Sequence, residues 1–131
     1  VLLERGVEVL VPVIVDDETL DWVALSPAGT SATHTFTSGR LGIREPTGPR
    51  LGRGALADVD LVLAPATAVD HAGHRLGQGG GYYDRALAGV RAPVCAVVFA
   101  DELLPEVPHE PHDVPVQLAV TEQGVFRIPQ P

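Results

Sequence analysis

Apolar residues in this chain come in short, dense bursts and not at helical spacing. Residues 7–15 read Val-Glu-Val-Leu-Val-Pro-Val-Ile-Val. A β-branched run of that kind predicts a buried strand over about 7–11, with Pro12 weakening the ladder after it. Residues 22–25 predict a second short strand beyond the acidic turn 16–18. The Thr/Ser-rich stretch 27–38 fits an edge strand or a loop equally well. Glycine, proline and arginine interrupt residues 39–54 every few positions, which predicts an extended surface loop. Asp58-Val59-Asp60-Leu61-Val62-Leu63-Ala64-Pro65 is the clearest strand signal. A loop over 66–81, a short helix over 82–87 ended by Gly89, and a buried strand over 94–99 follow. Residues 118–121 and 125–128 can close as a hairpin through Glu122-Gln123-Gly124.

Strand, loop, helix, strand is a βαβ unit, so the fold class is α/β. Its long loop lies at the carboxyl end of a strand, where α/β sheets bind ligands.

Composition narrows this further. With 131 residues, 45% of them hydrophobic, the chain fits one domain, residues 1–131, able to bury a real core. The formal net charge of -8 disfavours nucleic acid and anionic membranes as partners. All nine basic residues are arginine. Arg40, Arg44, Arg50, Arg53, Arg75 and Arg85 form local patches suited to a small anion such as a nucleotide or a polyglutamyl chain. The single Cys95 lies in an apolar run and reads as a small core residue, not a nucleophile. No signal-peptide pattern or bilayer-length apolar stretch is present, which makes the cytoplasm the expected compartment. Residues 1–6 read as the end of a helix capped by Gly6, and no Met opens the chain, so an upstream segment is expected.

Candidate chemistry concentrates in Gly73-His74-Arg75-Leu76-Gly77-Gln78-Gly79-Gly80-Gly81-Tyr82-Tyr83-Asp84-Arg85. Glycines let main-chain N–H groups turn toward a ligand without interference from Cβ, and a helix begins directly after them. The spacing matches neither a P-loop nor a dinucleotide fingerprint. Arg75 can reach phosphate oxygens, Tyr82 and Tyr83 can stack or donate hydroxyl bonds, and Asp84 suits Mg²⁺ beside phosphates. On residue types alone, a phosphate cradle and a tight turn with a surface Asp84–Arg85 ion pair weigh equally. His109, Glu110, His112 and Asp113 resemble a zinc set, but Pro108, Pro111 and Pro115 break any helix that would align them. Asp113 alone, turned toward the glycine loop, fits Mg²⁺ better. His71 and His74 read as exposed turn residues, and His34 as an ordinary strand histidine. Ser26, Ser31 and Ser38 lie in no nucleophile elbow. Glu45 before the rigid Pro46 reads as a solvated loop acid, or as a carboxylate held toward a polar ligand.

Three blocks in order resemble the 5-formyltetrahydrofolate cyclo-ligase (5,10-methenyltetrahydrofolate synthetase) family. They are Leu41-Gly42-Ile43-Arg44-Glu45-Pro46; residues 60–65 leading into 70–85; and Leu104-Pro105 through His112-Asp113-Val114-Pro115-Val116 with Thr121-Glu122-Gly124. The resemblance implies a three-layer α/β/α sandwich of the sugar-phosphate isomerase/CoA-transferase-like type, N-terminally truncated. It also implies ATP- and Mg²⁺-dependent closure of 5-formyltetrahydrofolate to 5,10-methenyltetrahydrofolate in a monomer. Residue by residue, Arg75, Leu76, Gly77, Gln78, Gly79, Gly80, Gly81, Tyr82 and Tyr83 match the ATP segment. Gln78, Gly79, Gly80, Gly81 and Tyr82 also face the folate, with Glu45 near the pterin. Asp84 and Asp113 match the magnesium carboxylates.

The chain departs from the family pattern at Leu41, Ala66 and Gln117, and it lacks the upstream basic segment. Two rivals therefore stand: a non-catalytic fragment retaining a nucleotide or folate pocket, and an ATP-independent sugar-phosphate isomerase-like enzyme.

Overall fold

The computed structural model describes residues 2–16, 19–25, 36–39, 42–52 and 54–129. The expectations for His34, Leu41, Arg40, Arg53, Ser26 and Ser31 lie outside these. The fold is mixed α/β, and its contacts divide it into two compact units, residues 1–55 and 56–131.

In the first unit a 3₁₀ turn, Leu3–Arg5, ends at Gly6, whose φ of 79° is the left-handed cap foreseen for this glycine. Strands β1 (Val9–Ile14) and β2 (Leu20–Leu25) pair antiparallel, with Pro12 opposite Trp22. β1 therefore runs through the proline expected to end it. Val15 N–H points at Thr19 O on the β2 side, while Ile14 N–H points away to the Glu45 carboxylate. Pro12, in phase with Ile14, puts its missing N–H on that outer edge and costs the ladder nothing. β3 (Phe36–Ser38) and β4 (Arg44–Pro46) form a second antiparallel pair, so the middle of the supposed loop 39–54 is a strand.

The second unit centres on a four-stranded sheet ordered β11-β10-β8-β5. β5 (Val62–Pro65), β8 (Val94–Val97) and β10 (Leu118–Thr121) run parallel, and β11 (Gly124–Arg127) closes one edge as an antiparallel hairpin with β10. Helix α1 (Tyr82–Leu87) lies in the crossover from β5 to β8, so the predicted βαβ unit is present. Register separates the two faces of the sheet. Ala64, Ala96 and Ala119 stand in one row and are at most 1% exposed, within a core that also holds Val62, Val94, Val69, Val116 and Leu87 of α1. Small residues there allow the helix side to pack closely. On the other face Pro65, Val97, Val120 and Val125 form a row across all four strands, in which Val97 and Val125 are exposed.

A three-stranded sheet was not foreseen. Inside the supposed loop 66–81, β6 (Ala68–Asp70) pairs antiparallel with β7 (Arg75–Leu76) and parallel with β9 (Leu103–Leu104). These strands span two or three residues, too short for a period to register in sequence.

Candidate functional site

The glycine segment begins in the turn from β6 to β7, runs through β7 and ends in α1. Gly79 and Gly81 adopt φ of 93° and 68°, conformations that glycine reaches without strain, and Gln78, Gly79 and Gly80 are exposed. A Cβ on Gly79 would meet nothing within 4 Å. One on Gly80 would press on the Tyr82 ring at 2.7 Å. The loop is thus an open backbone surface bounded by one aromatic ring.

Arg75 sits differently from a phosphate ligand at the loop's mouth. It is 8% exposed; it donates to Pro65 O at 3.0 Å and pairs with the Asp84 carboxylate at 3.5 Å. The Tyr83 ring lies 5.6 Å from its guanidinium carbon, and Nε is buried without a hydrogen-bond partner. Arg75 therefore ties the end of β5 to the first turn of α1. Tyr83 packs against the core, and burial raises its hydroxyl pKa, an effect the Arg75 charge partly opposes. Tyr82 is the outer ring of the pair, with Arg85 5.4 Å away and Arg85 also donating to Gly80 O at 2.7 Å. In place of the surface Asp84–Arg85 ion pair of the tight-turn alternative, Asp84 makes a partly buried pair with Arg75.

The two predicted metal carboxylates come onto neighbouring segments. Asp84 Oδ1 accepts from Val114 N–H at 3.2 Å, which brings the chain beside Asp113 to the first turn of α1. Asp113 Oδ2 accepts from Glu110 N–H at 2.8 Å. Both side chains are 19% exposed. Half-buried carboxylates that keep oxygen lone pairs, one of them in the helix that follows the glycine loop, fit a hard, hydrated cation such as Mg²⁺.

Glu45 lies in the first unit. It is 8% exposed on β4, accepts from Ile14 N–H, and would overlap any Cβ on Gly39. The reading of a solvated loop acid fails because β4 turns the side chain inward.

Asp70 was not singled out from sequence, yet it organises this region. At 2% exposure it accepts from Ala72 N–H and His74 N–H, both at 2.9 Å, from the His74 ring at 3.0 Å and from Val107 N–H at 3.2 Å. Burial pushes its pKa up; the bonds from His74, Val107 and Ala72 outweigh burial and hold it below the ordinary aspartate value. His74 is half-buried and stacked on His109, not the exposed turn residue expected. His71 is exposed as expected. The spacing Asp70-x-x-x-His74 around Gly73 is the one sequence signal for this turn; nothing in the sequence joins it to residue 107 or 109.

Fold and site together define an α/β protein with a glycine-rich connection between a short strand and a short helix whose first turn carries Asp84. A model of the 5-formyltetrahydrofolate cyclo-ligase family matches residues 1–122, and the chain belongs to that family. It is 42% identical over 135 residues to the 5-formyltetrahydrofolate cyclo-ligase of Mycolicibacterium smegmatis, covering 97% of this chain and 66% of that relative. The Aquifex aeolicus 5,10-methenyltetrahydrofolate synthetase structure superposes with a TM-score of 0.74 at 32% identity, covering 99% of this chain and 62% of that one. The Mycoplasma pneumoniae 5,10-methenyltetrahydrofolate synthetase shares the fold at a TM-score of 0.63 and 18% identity, over 90% of this chain and 58% of its own. The chain therefore spans 58% to 66% of the length of these relatives. Among the described residues, no helix is long and apolar enough to cross a membrane.

Proposed function

We propose that this chain carries the nucleotide and folate floor of an ATP-dependent cyclo-ligase, which converts 5-formyltetrahydrofolate to 5,10-methenyltetrahydrofolate and releases ADP and phosphate. The observation that carries the reading is the exposed backbone of Gln78 to Gly80, directly ahead of the helix whose first turn carries Asp84, itself bonded to the segment bearing Asp113. In the proposed reaction the formyl oxygen attacks the γ-phosphorus and ADP leaves; N10 then closes on the formyl carbon and phosphate departs. Such chemistry asks a protein for positioning and charge neutralisation more than for a nucleophile.

Gln78, Gly79, Gly80, Gly81 and Tyr82 would face both substrates, the glycines letting phosphate and pteridine approach the main chain. Arg75 serves the segment from beneath by holding Asp84 and the start of α1. Leu76 and Gly77 lead the chain outward, and Tyr83 anchors it to the core. Asp84 and Asp113 would hold Mg²⁺, which when bound neutralises phosphate charge. Glu45 would meet the pterin only by exposing a carboxylate that is now buried, so it is the weakest of these assignments.

The test is the absorbance of the methenyl product in the presence of ATP, Mg²⁺ and 5-formyltetrahydrofolate. Asp113→Ala should reduce turnover at least tenfold while leaving the unfolding midpoint near wild type, because its carboxylate bonds only locally. Asp84→Ala should abolish turnover but also frees the buried Arg75 charge, so Asp113 is the cleaner probe. Unchanged turnover in Asp113→Ala would remove the metal assignment. A second reading is a chain that binds both substrates without turning them over. Calorimetric binding of ATP and folate with no absorbance change would select it.

A further inference from the structure

We propose that His74 and His109 form a second cation site, separate from Asp84 and Asp113, that takes a borderline divalent transition ion such as Zn²⁺. Ligand-capable atoms of Asp70, His74 and His109 all lie within 4.8 Å of one another. What makes the pair more than a surface coincidence is the state of each ring. His74 Nδ1 lies 3.0 Å from Asp70 Oδ2, an oxygen that also accepts from Val107 N–H. A carboxylate can only accept, so Nδ1 carries the proton, and in the neutral ring Nε2 keeps its lone pair. His109 Nδ1 lies 3.1 Å from Val107 O, a carbonyl, and the same logic leaves its Nε2 free. Both rings are thus fixed in one tautomer by a second partner, as metal-binding histidines are, and Asp70 plays the part of the carboxylate behind the histidine.

The rings stack at 3.5 Å between centroids with planes 4° apart. Imidazole binds a metal in its own plane, so two parallel rings cannot both aim at one ion. His109 is exposed, and swinging its ring away from the stack, which exchanges the Val107 O bond for water, lets the two lone pairs converge. Two imidazole nitrogens with water in the remaining positions suit Zn²⁺, Co²⁺ or Ni²⁺ far better than Mg²⁺, which prefers oxygen. The bound ion would staple the turn 70–74 to the segment 105–109. The inference does not depend on the proposed ligase activity.

Titration of the full chain with Co²⁺, followed by visible absorption in excess Mg²⁺, tests it. One ion per chain should bind, the His109 ring signals should shift in NMR as the stack opens, and His109→Ala should weaken binding roughly tenfold or more. His109 is exposed, so this variant should keep the wild-type far-UV circular dichroism, and His74→Gln should repeat the effect. Absence of saturable Co²⁺ binding would overturn the proposal. So would binding unchanged in His109→Ala, or binding lost instead in Asp113→Ala, which would put the ion at the other carboxylates.

Discussion

Asp70 carries its charge in a place with almost no water, which four hydrogen bonds make possible. Asn at this position could accept the bonds from Ala72 and His74 through its oxygen, but its NH₂ would face the Val107 N–H. We expect Asp70→Asn to lose about 2–4 kcal/mol in urea unfolding at neutral pH with chelator present, the cost of buried donors left unpaired. The pH dependence follows from the lowered pKa. A carboxylate whose folded value lies below its unfolded one adds stability that is complete above the unfolded value and disappears as pH falls through the folded one. The gap between wild type and Asp70→Asn should therefore hold at pH 7 and narrow below about pH 4. A gap that stays constant into acid would show that the charge contributes nothing. Arg75 follows the same principle with the opposite sign: a buried cation held by Asp84 and a carbonyl.

At the scale of elements, Gly73, in the turn from β6 to β7, and Gly79, between β7 and α1, share nearly the same φ, 91° and 93°, in very different surroundings. A Cβ on Gly73 would run into Val116 O, and Gly73 O accepts the Val116 N–H at 2.8 Å. Around Gly79 there is open space. Gly73→Ala should accordingly cost more than about 2 kcal/mol of stability, from clash added to strain. Gly79→Val should cost only about 1–2 kcal/mol, from the left-handed backbone alone, while abolishing ATP and folate binding. Equal destabilisation of both, or wild-type affinity in Gly79→Val, would refute this division of labour. The family blocks placed Gly79 among the expected site residues, but a run of glycines does not disclose which one faces a neighbour, and the packing of Gly73 on Val116 was not foreseen. Long patterned elements were legible for the converse reason: β5, α1, β8 and the closing hairpin each carry several residues of one period. The strands β6, β7 and β9 do not, and the burial of Glu45 and Arg75 depends on partners far off in sequence. The carboxylates of the candidate site were readable through the family blocks, whereas Asp70 and the histidine stack come from contacts between residues 70–74 and 107–109 that no local pattern announces.

Across the whole molecule, a net charge of -8 opposes contact between copies of the chain, while one face of its main sheet presents apolar side chains. The core face is closed by the alanine row and Leu87 of α1. The opposite face leaves Leu63, Val97, Phe99 and Val125 between 48% and 66% exposed, and Pro65, Val97, Val120 and Val125 align there through pairing across four strands. Scattered exposed apolar residues are ordinary; a contiguous row on a rigid sheet is not. The 131-residue chain by itself should therefore bind the dye ANS well below its unfolding transition and show mass that rises with concentration in sedimentation, more so at high salt, where charge repulsion is screened. Replacing Val97 by Thr keeps a β-branched side chain in the strand, and replacing Phe99 by Ser removes the most exposed aromatic ring, so the pair should cut dye binding severalfold at a stability cost below about 1 kcal/mol. Dye binding that is absent from the native chain, or that the paired substitution leaves unchanged, would mean that this face is not the adhesive surface its register makes it.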